Sequence, residues 1–282
     1  MTLVNDDPYD FGEPYEPTVG PTADPGEADT SPQRKKMIVF FLVDTSLSMR
    51  GERINAVNTA IRNSISILKD VQAGTKPCEM HMCVIEFNKE ADVIHPPESV
   101  STIVYNDLSV SGDTQFAKAF SLLNERMSPK KDMQSVSGHF APVIILLTDG
   151  EPTDKSDNGI PRWETELEKL NKNSWFRVAT KVAIAIGEEA KNPKTFKVIA
   201  EFASKDCALY AAEIDDLRTL IELVTVSASK LNASGASLGG FPGGKEGEPK
   251  DTGGEVKPPW VNDIKVVVPD VKNVVDDEYD FS

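Results

Sequence analysis

The sequence predicts an α/β fold: a doubly wound, mainly parallel six-stranded sheet with helices on both faces, flanked by acidic tails. Three observations predict it. Residues 37–43 (MIVFFLV) and 142–147 (PVIILL) are continuous apolar runs, the pattern of strands covered on both faces. Such runs alternate with segments whose apolar residues recur at helical spacing, which implies parallel strands joined by crossover helices. Proline, glycine and acidic residues concentrate near the two ends of the chain, which bounds the packed body.

Each element follows in order. Residues 1–35 read as a disordered acidic tail, with Pro8, Pro14, Pro17, Pro21, Pro25 and Pro32 and too few aliphatics to offset the entropy of ordering. The body spans 36–232. The strand 37–43 leads through a polar loop into a helix near 53–71. Its Ile54, Val57, Ile61, Ile65 and Leu68 form one buried stripe. A strand at 80–87 turns at Asn88-Lys89-Glu90 into an antiparallel edge strand near 91–94. Phe116, Phe120, Leu123 and Met127 mark a helix, followed by the strand 142–147. Trp163, Leu167 and Leu170 mark the next helix, and a strand spans 178–186. Phe196, Ile199 and Phe202 lie on a helix before a strand at 208–212, and Leu217, Leu220, Ile221, Val224 and Leu231 close the body as a last helix. Residues 233–258 are a flexible Gly/Pro linker, and 259–282 hold a valine-rich segment with an acidic end.

Charge narrows the partners. The chain carries −15 overall. Residues 1–33 contribute −8 (eight acidic, no basic) and residues 235–282 contribute −5 (ten acidic, five basic), leaving −2 for the body. Nucleic acid is excluded as a partner, because phosphate binding needs clustered Lys and Arg. No apolar run reaches the ~20 residues that span a bilayer, and the acidic, proline-rich N-terminus has no signal-peptide pattern. A soluble, cytoplasmic protein without membrane contact is expected. Cys78, Cys83 and Cys207 fit neither a disulfide framework nor a zinc site, and read as reduced thiols in the core.

In a doubly wound sheet, ligands bind beyond the carboxyl ends of central strands. The first apolar strand ends in Asp44-Thr45-Ser46-Leu47-Ser48, and the strand 142–147 runs into Thr148-Asp149-Gly150. Alternate residues of an extended loop point the same way, so Asp44, Ser46 and Ser48 can converge on one point. A carboxylate with hydroxyls suits a hard cation: Mg²⁺, with Mn²⁺ or Ca²⁺ as possible occupants. Asp-x-Ser-x-Ser alone arises by chance in roughly one chain in ten of this length, and its bland reading is a helix N-cap. Its place after a buried strand, matched by Asp149 after another, favours a metal site. That site is expected to face solvent, away from the core. Asp113, Glu151 and Asp154 lie nearby, as loop and capping residues or as partner contacts.

These residues resemble those of a von Willebrand factor A (VWA) domain with a metal-ion-dependent adhesion site. The match comprises Asp44-x-Ser46-x-Ser48, the threonine of Ser111-Gly112-Asp113-Thr114, and Thr148-Asp149-Gly150. The resemblance implies a Rossmann-like VWA fold over 36–232. It implies hydroxyl ligands from Ser46, Ser48 and Thr114, with Asp44 and Asp149 binding the ion directly or through water. It implies protein binding rather than catalysis, through a metal position that takes an Asp or Glu of the partner. The stretch 147–154 (LTDGEPTD) is similar to that of bacterial TerY-like VWA proteins. This implies a scaffold or regulator in a stress-response or signalling complex, such as tellurite resistance, with a protein kinase or phosphatase as partner. The cysteine-rich zinc module of some relatives is absent.

An alternative is a metal-dependent phosphohydrolase. A haloacid dehalogenase-like phosphatase needs a second Asp where Ser46 stands, and a Ser-His-Asp hydrolase finds no Gly-x-Ser-x-Gly elbow near His81, His95 or His139. Residues 239–245 match a Gly-x₄-Gly-Lys phosphate loop in spacing, but Glu246 follows where Ser or Thr is needed. Finally, Asp-Asp-x-Tyr-Asp-Phe occurs twice, at 6–11 and at 276–281. The two copies are either solubilising acid or duplicate motifs that dock on a partner or on a second copy of the chain.

Overall fold

The architecture comes from a computed structural model that describes residues 34–74, 78–134, 138–211 and 213–233. Strand β1 (Lys35–Asp44) runs into a short 3-10 turn (Leu47–Met49) and helix α1 (Glu52–Gly74). Strand β2 (Cys78–Phe87) and the antiparallel β3 (Ala91–Ser99) precede a long loop and α2 (Phe116–Arg126). Next come β4 (Val143–Thr148), a small hairpin of β5 (Ser156–Asp157) and β6 (Ile160–Pro161), α3 (Arg162–Asn171) and α4 (Ser174–Val178). Strand β7 (Thr180–Ile186), α5 (Pro193–Phe202), β8 (Ala208–Ala211) and α6 (Ile214–Ala233) complete the fold. The main sheet has six strands in the order β3-β2-β1-β4-β7-β8, parallel except for β3. The expected fold class is therefore the observed one.

Burial on both faces explains the unbroken apolar runs. Along β1, Met37, Val39, Phe41 and Val43 face a core shared with α1 and α6. Ile38, Phe40 and Leu42 face a second core with α2, α3, α4 and α5. Strand β4 divides the same way: Val143, Ile145 and Leu147 to the first core, Ile144 and Leu146 to the second. Each side chain of this size contributes about 1.5–3 kcal/mol by leaving water, so no residue of 37–43 or of β4 is free to turn outward. The α1 stripe Ile54, Val57, Ile61, Ile65 and Leu68 is wholly buried.

Two elements differ from the sequence reading. Strand β3 continues past 94 through His95, Pro96 and Pro97 to Ser99. It is an edge strand, where proline's missing N–H need not serve a neighbour. The β5–β6 hairpin and α4 are too short to carry a period and were not expected. The three cysteines are free and buried, as their apolar surroundings imply, and burial pushes the thiols of Cys78 and Cys207 up to about 12. No helix among the described residues is long and apolar enough to cross a membrane. Lys35, placed in the first tail, opens β1, and Ala233, placed in the linker, ends α6. Residues 1–33 and 234–282, with the phosphate-loop-like spacing, the valine-rich segment and both Asp-Asp-x-Tyr-Asp-Phe copies, lie outside the described residues.

Candidate metal centre

Strands β1 and β4 are neighbours in register, Val43 beside Leu147, so the residues that follow them emerge side by side. Asp44, at the end of β1, is fully buried. Its Oδ1 accepts the N–H of Ser46 at 2.9 Å and its Oδ2 accepts the hydroxyl of Thr148 at 2.7 Å. Burial raises its pKa to about 6 against the pull of these bonds, and the nearby charge of Asp149 adds to the rise. Ser46 precedes the 3-10 turn, yet its side chain makes no capping bond, so the Ser46 hydroxyl is not spent as a helix cap. Its Oγ lies 2.9 Å from Ser48 Oγ. Ser48 in turn donates to Asp149 Oδ1 at 2.7 Å.

Thr114 arrives from the loop between β3 and α2. Gly150 shows how tightly it closes on the others. A Cβ at Gly150 would stand 3.0 Å from Thr114 Oγ1 and 3.7 Å from both Asp44 Oδ2 and Ser48 Oγ. A side chain here would crowd the Thr114 hydroxyl, so glycine suits the close approach of the loops. Asp44, Ser46, Ser48, Thr114 and Asp149 are thus brought together at one spot. One expectation is corrected: the site does not simply face solvent, because Asp44 is 0% and Asp149 1% exposed. Both leave the ends of central strands under the loops that carry the hydroxyls, and Leu47, Ser48, Asp113 and Thr153 reach the surface.

The Thr114 loop is held by contacts that carry no periodic signal. Leu47 N–H donates to Gly112 O at 3.1 Å and Ser111 N–H to Thr45 O at 2.7 Å. Gly112 sits at φ +68°, where a Cβ would press within 3.1 Å of Lys89 Cβ. On α1, buried Asn58 donates to Leu108 O at 3.1 Å, while its Oδ1 accepts Leu108 N–H at 2.9 Å and the Tyr105 hydroxyl at 2.7 Å. Asp154 caps α2, taking the N–H groups of Phe116 at 3.0 Å and Ala117 at 2.8 Å. Its role is structural. Glu151 accepts from Asn192 and Lys194 across the same rim. Sequence reasoning missed Arg53, which donates to Asp149 Oδ2 at 2.7 Å, and named Thr148 within the motif without its role of orienting Asp44.

Above the cluster opens a cleft of about 380 Å³, lined by Ser46, Leu47, Ser48, Gly112, Asp113, Thr114, Asp149, Gly150, Glu151 and Thr153. Among the described residues no three His, Cys, Asp or Glu gather as a metal cage. Any ion here depends on the hydroxyls. Two carboxylates and three hydroxyls are hard oxygen donors, and a cation would stabilise the charged form of Asp44 that burial disfavours. The donor set fits Mg²⁺, Mn²⁺ or Ca²⁺. No imidazole joins it: His81 pairs with Glu79 at 2.8 Å, His95 packs on Tyr105 and His139 on Trp175.

Residues 39–151, which hold every one of these ligand candidates, match the family model of the von Willebrand factor type A domain. Over that span the chain is similar to a VWA domain. No curated protein matches it in sequence. Among solved structures it is similar to proximal thread matrix protein 1 of the mussel byssus, at 17% identity and a TM-score of 0.50, over 69% of this chain and 48% of that one. A second structure of that protein, with the same identity, coverage and TM-score, carries a zinc-occupied adhesion-site motif. The pilus adhesin SpaC of Lactobacillus rhamnosus GG is also similar, at 14% identity and a TM-score of 0.52, over 68% of this chain and 30% of that one. At these identities the likeness is one of fold. The chain spans less than half the length of these structures.

Proposed function

We propose that this VWA domain is a divalent-metal-dependent protein-interaction module, with Mg²⁺ as the resident ion. The observation that carries the reading is the convergence of five oxygen donors from three loops beneath an open cleft. Asp44 and Asp149 supply the charge, and Ser46, Ser48 and Thr114 the neutral donors. With only two carboxylates, the bound ion would keep Lewis acidity for one external carboxylate, an Asp or Glu of the partner. Thr148 and the Ser46 amide hold Asp44 in place, and the Ser48 hydroxyl holds Asp149. Leu47, 51% exposed on the lip, offers the partner an apolar contact beside its acid. The zinc-occupied motif of the byssus protein supports metal binding on this fold. The TerY-like 147–154 stretch supports a cytoplasmic stress-response or signalling role, with a kinase or phosphatase as partner, and the two Asp-Asp-x-Tyr-Asp-Phe copies as further docking elements on that partner.

Affinity capture on the full chain in Mg²⁺, followed by chelator, tests the reading. A specifically bound protein should elute in chelator and fail to bind the Asp149→Ala chain. A partner retained at full strength in chelator overturns the mechanism. Hydrolysis of a phosphate ester that needs both Mg²⁺ and Asp44 would establish the phosphohydrolase instead.

A further inference from the structure

Arg53, the second residue of α1, reaches back over the ligand loop. Its Nη1 donates to Asp149 Oδ2 at 2.7 Å and to the Ser48 carbonyl at 3.3 Å. The Asp149 side chain is fully buried, and that of Arg53 is 22% exposed. A guanidinium therefore shares a carboxylate with the metal centre. Nothing in the helical pattern of α1 requires it there. The buried stripe of α1 starts at the next residue, Ile54.

We infer that Arg53 is the resident counter-ion of the metal centre: it neutralises Asp149 when no ion is bound and lowers the affinity of the site when one is. The inference rests on the metal-binding reading above and adds to it how occupancy is set. Arg53 has two opposed effects on an incoming ion. It orients Asp149, which favours binding, and it places a positive charge beside the ion, which disfavours binding. The orienting effect is redundant, because the Ser48 hydroxyl holds Asp149 Oδ1 at 2.7 Å and burial fixes the rest of the side chain. The charge effect has no substitute, and in a partly buried site water and salt screen it weakly. Repulsion therefore wins in the loaded state. In the ion-free state the sign reverses. Asp44 and Asp149 lie buried close together, and removing the cation on Asp149 leaves an uncompensated buried charge, which destabilises a fold strongly. A site built this way folds without metal and takes its ion reversibly.

The test uses the full chain with Arg53→Gln, which keeps hydrogen-bond donors and loses the charge, and Arg53→Lys, which keeps the charge. Calorimetry reads Mg²⁺ affinity, and thermal melts are run in chelator and in saturating Mg²⁺. Arg53→Gln should bind Mg²⁺ about tenfold more tightly. It should melt lower in chelator and recover in Mg²⁺, so that its metal-induced rise in Tm exceeds that of the unaltered chain. Arg53→Lys should stay near the unaltered chain in both. Equal or weaker Mg²⁺ binding by Arg53→Gln, while the unaltered chain binds, overturns the inference and leaves the metal centre standing. So does an equal drop in Tm in both conditions, or failure to fold in both, which marks an ordinary structural ion pair. If the unaltered chain itself gives neither heat nor a Tm shift with Mg²⁺, Mn²⁺ or Ca²⁺, both readings fall.

Discussion

The floor and the lip of the cleft are built on opposite terms. On the floor, Asp44, Thr148 and Asp149 are buried at the ends of β1 and β4, and their polar atoms are satisfied by one another or by nearby loop groups. On the lip, Leu47 and Asp113 are exposed and lie on loops that lead away from the sheet. The floor holds charge that water cannot reach, at a cost that only a cation relieves. The lip holds surface that costs nothing until a partner covers it. Affinity for an ion and affinity for a partner should therefore be separable by mutation.

The sharpest break is at Asp44. Asp44→Asn keeps an acceptor for the Ser46 amide and a partner for the Thr148 hydroxyl, but removes the charge. Mg²⁺ affinity should fall by more than roughly 100-fold, beyond the range of groups that only support a ligand. The metal-free domain should not lose stability at neutral pH, and should gain about 1–3 kcal/mol. The pH dependence gives the sign. Asp44 has a folded pKa of about 6 against an ordinary 3.8, so its protonated form favours the fold. That contribution is fully present below 3.8 and lost as pH rises through about 6. In chelator, the Tm of the unaltered chain should gain on that of Asp44→Asn as pH falls from 7 toward 5. Over the same window its Mg²⁺ affinity should fall by about tenfold in all, most of it below pH 6, as the proton competes for the ligand. Chelator melts that keep a constant offset between the two chains across that range would show that Asp44 is not an electrostatic burden.

The floor was legible in the sequence and its supports were not. Asp44, Ser46, Ser48 and Asp149 stand next to apolar runs whose strand character is unmistakable, so their place follows from sheet topology alone. Thr114 was reachable only through resemblance, because its loop has no periodicity. Arg53 and Asn58 went unnoticed for one physical reason. Each acts through a side chain that leaves its helix to meet a loop distant in sequence, Arg53 to Asp149 and Asn58 to Leu108. Spacing along α1 says nothing about such contacts. The burial of the two carboxylates was likewise hidden, since it depends on how far loops fold over strand ends.

Asn58 offers the next break. It is 3% exposed and carries three hydrogen bonds to the loop that delivers Thr114. Asn58→Ala leaves the Leu108 amide and carbonyl without their partner, at a cost of about 2–3 kcal/mol. Chemical denaturation should show that loss, and calorimetry should show Mg²⁺ binding weakened by only about threefold to tenfold, since a loosened Thr114 withdraws one neutral donor among five. Unchanged stability would mean that the loop is held mainly by Ser111 and Gly112.

The smallest effect on the domain, and the most specific, belongs to Leu47. It stands between two hydroxyl donors, yet its side chain is 51% exposed, while Asp44, Thr45 and Met49 around it are fully buried. Its backbone N–H is already committed to Gly112 O at 3.1 Å, so the loop keeps its course whatever side chain it carries. Leu47→Ala should leave stability within about 0.5 kcal/mol, as for other surface substitutions, and leave Mg²⁺ affinity unchanged. A partner that places its carboxylate in the cleft must pass the leucine and cover it. Losing that contact removes about 1–2 kcal/mol of apolar burial, which is a weakening of roughly fivefold to thirtyfold. Titration of a captured partner onto both chains in saturating Mg²⁺ reads the difference. Equal partner affinity would confine recognition to the carboxylate alone and leave the lip without a role. A drop in Mg²⁺ affinity would show instead that floor and lip are one unit.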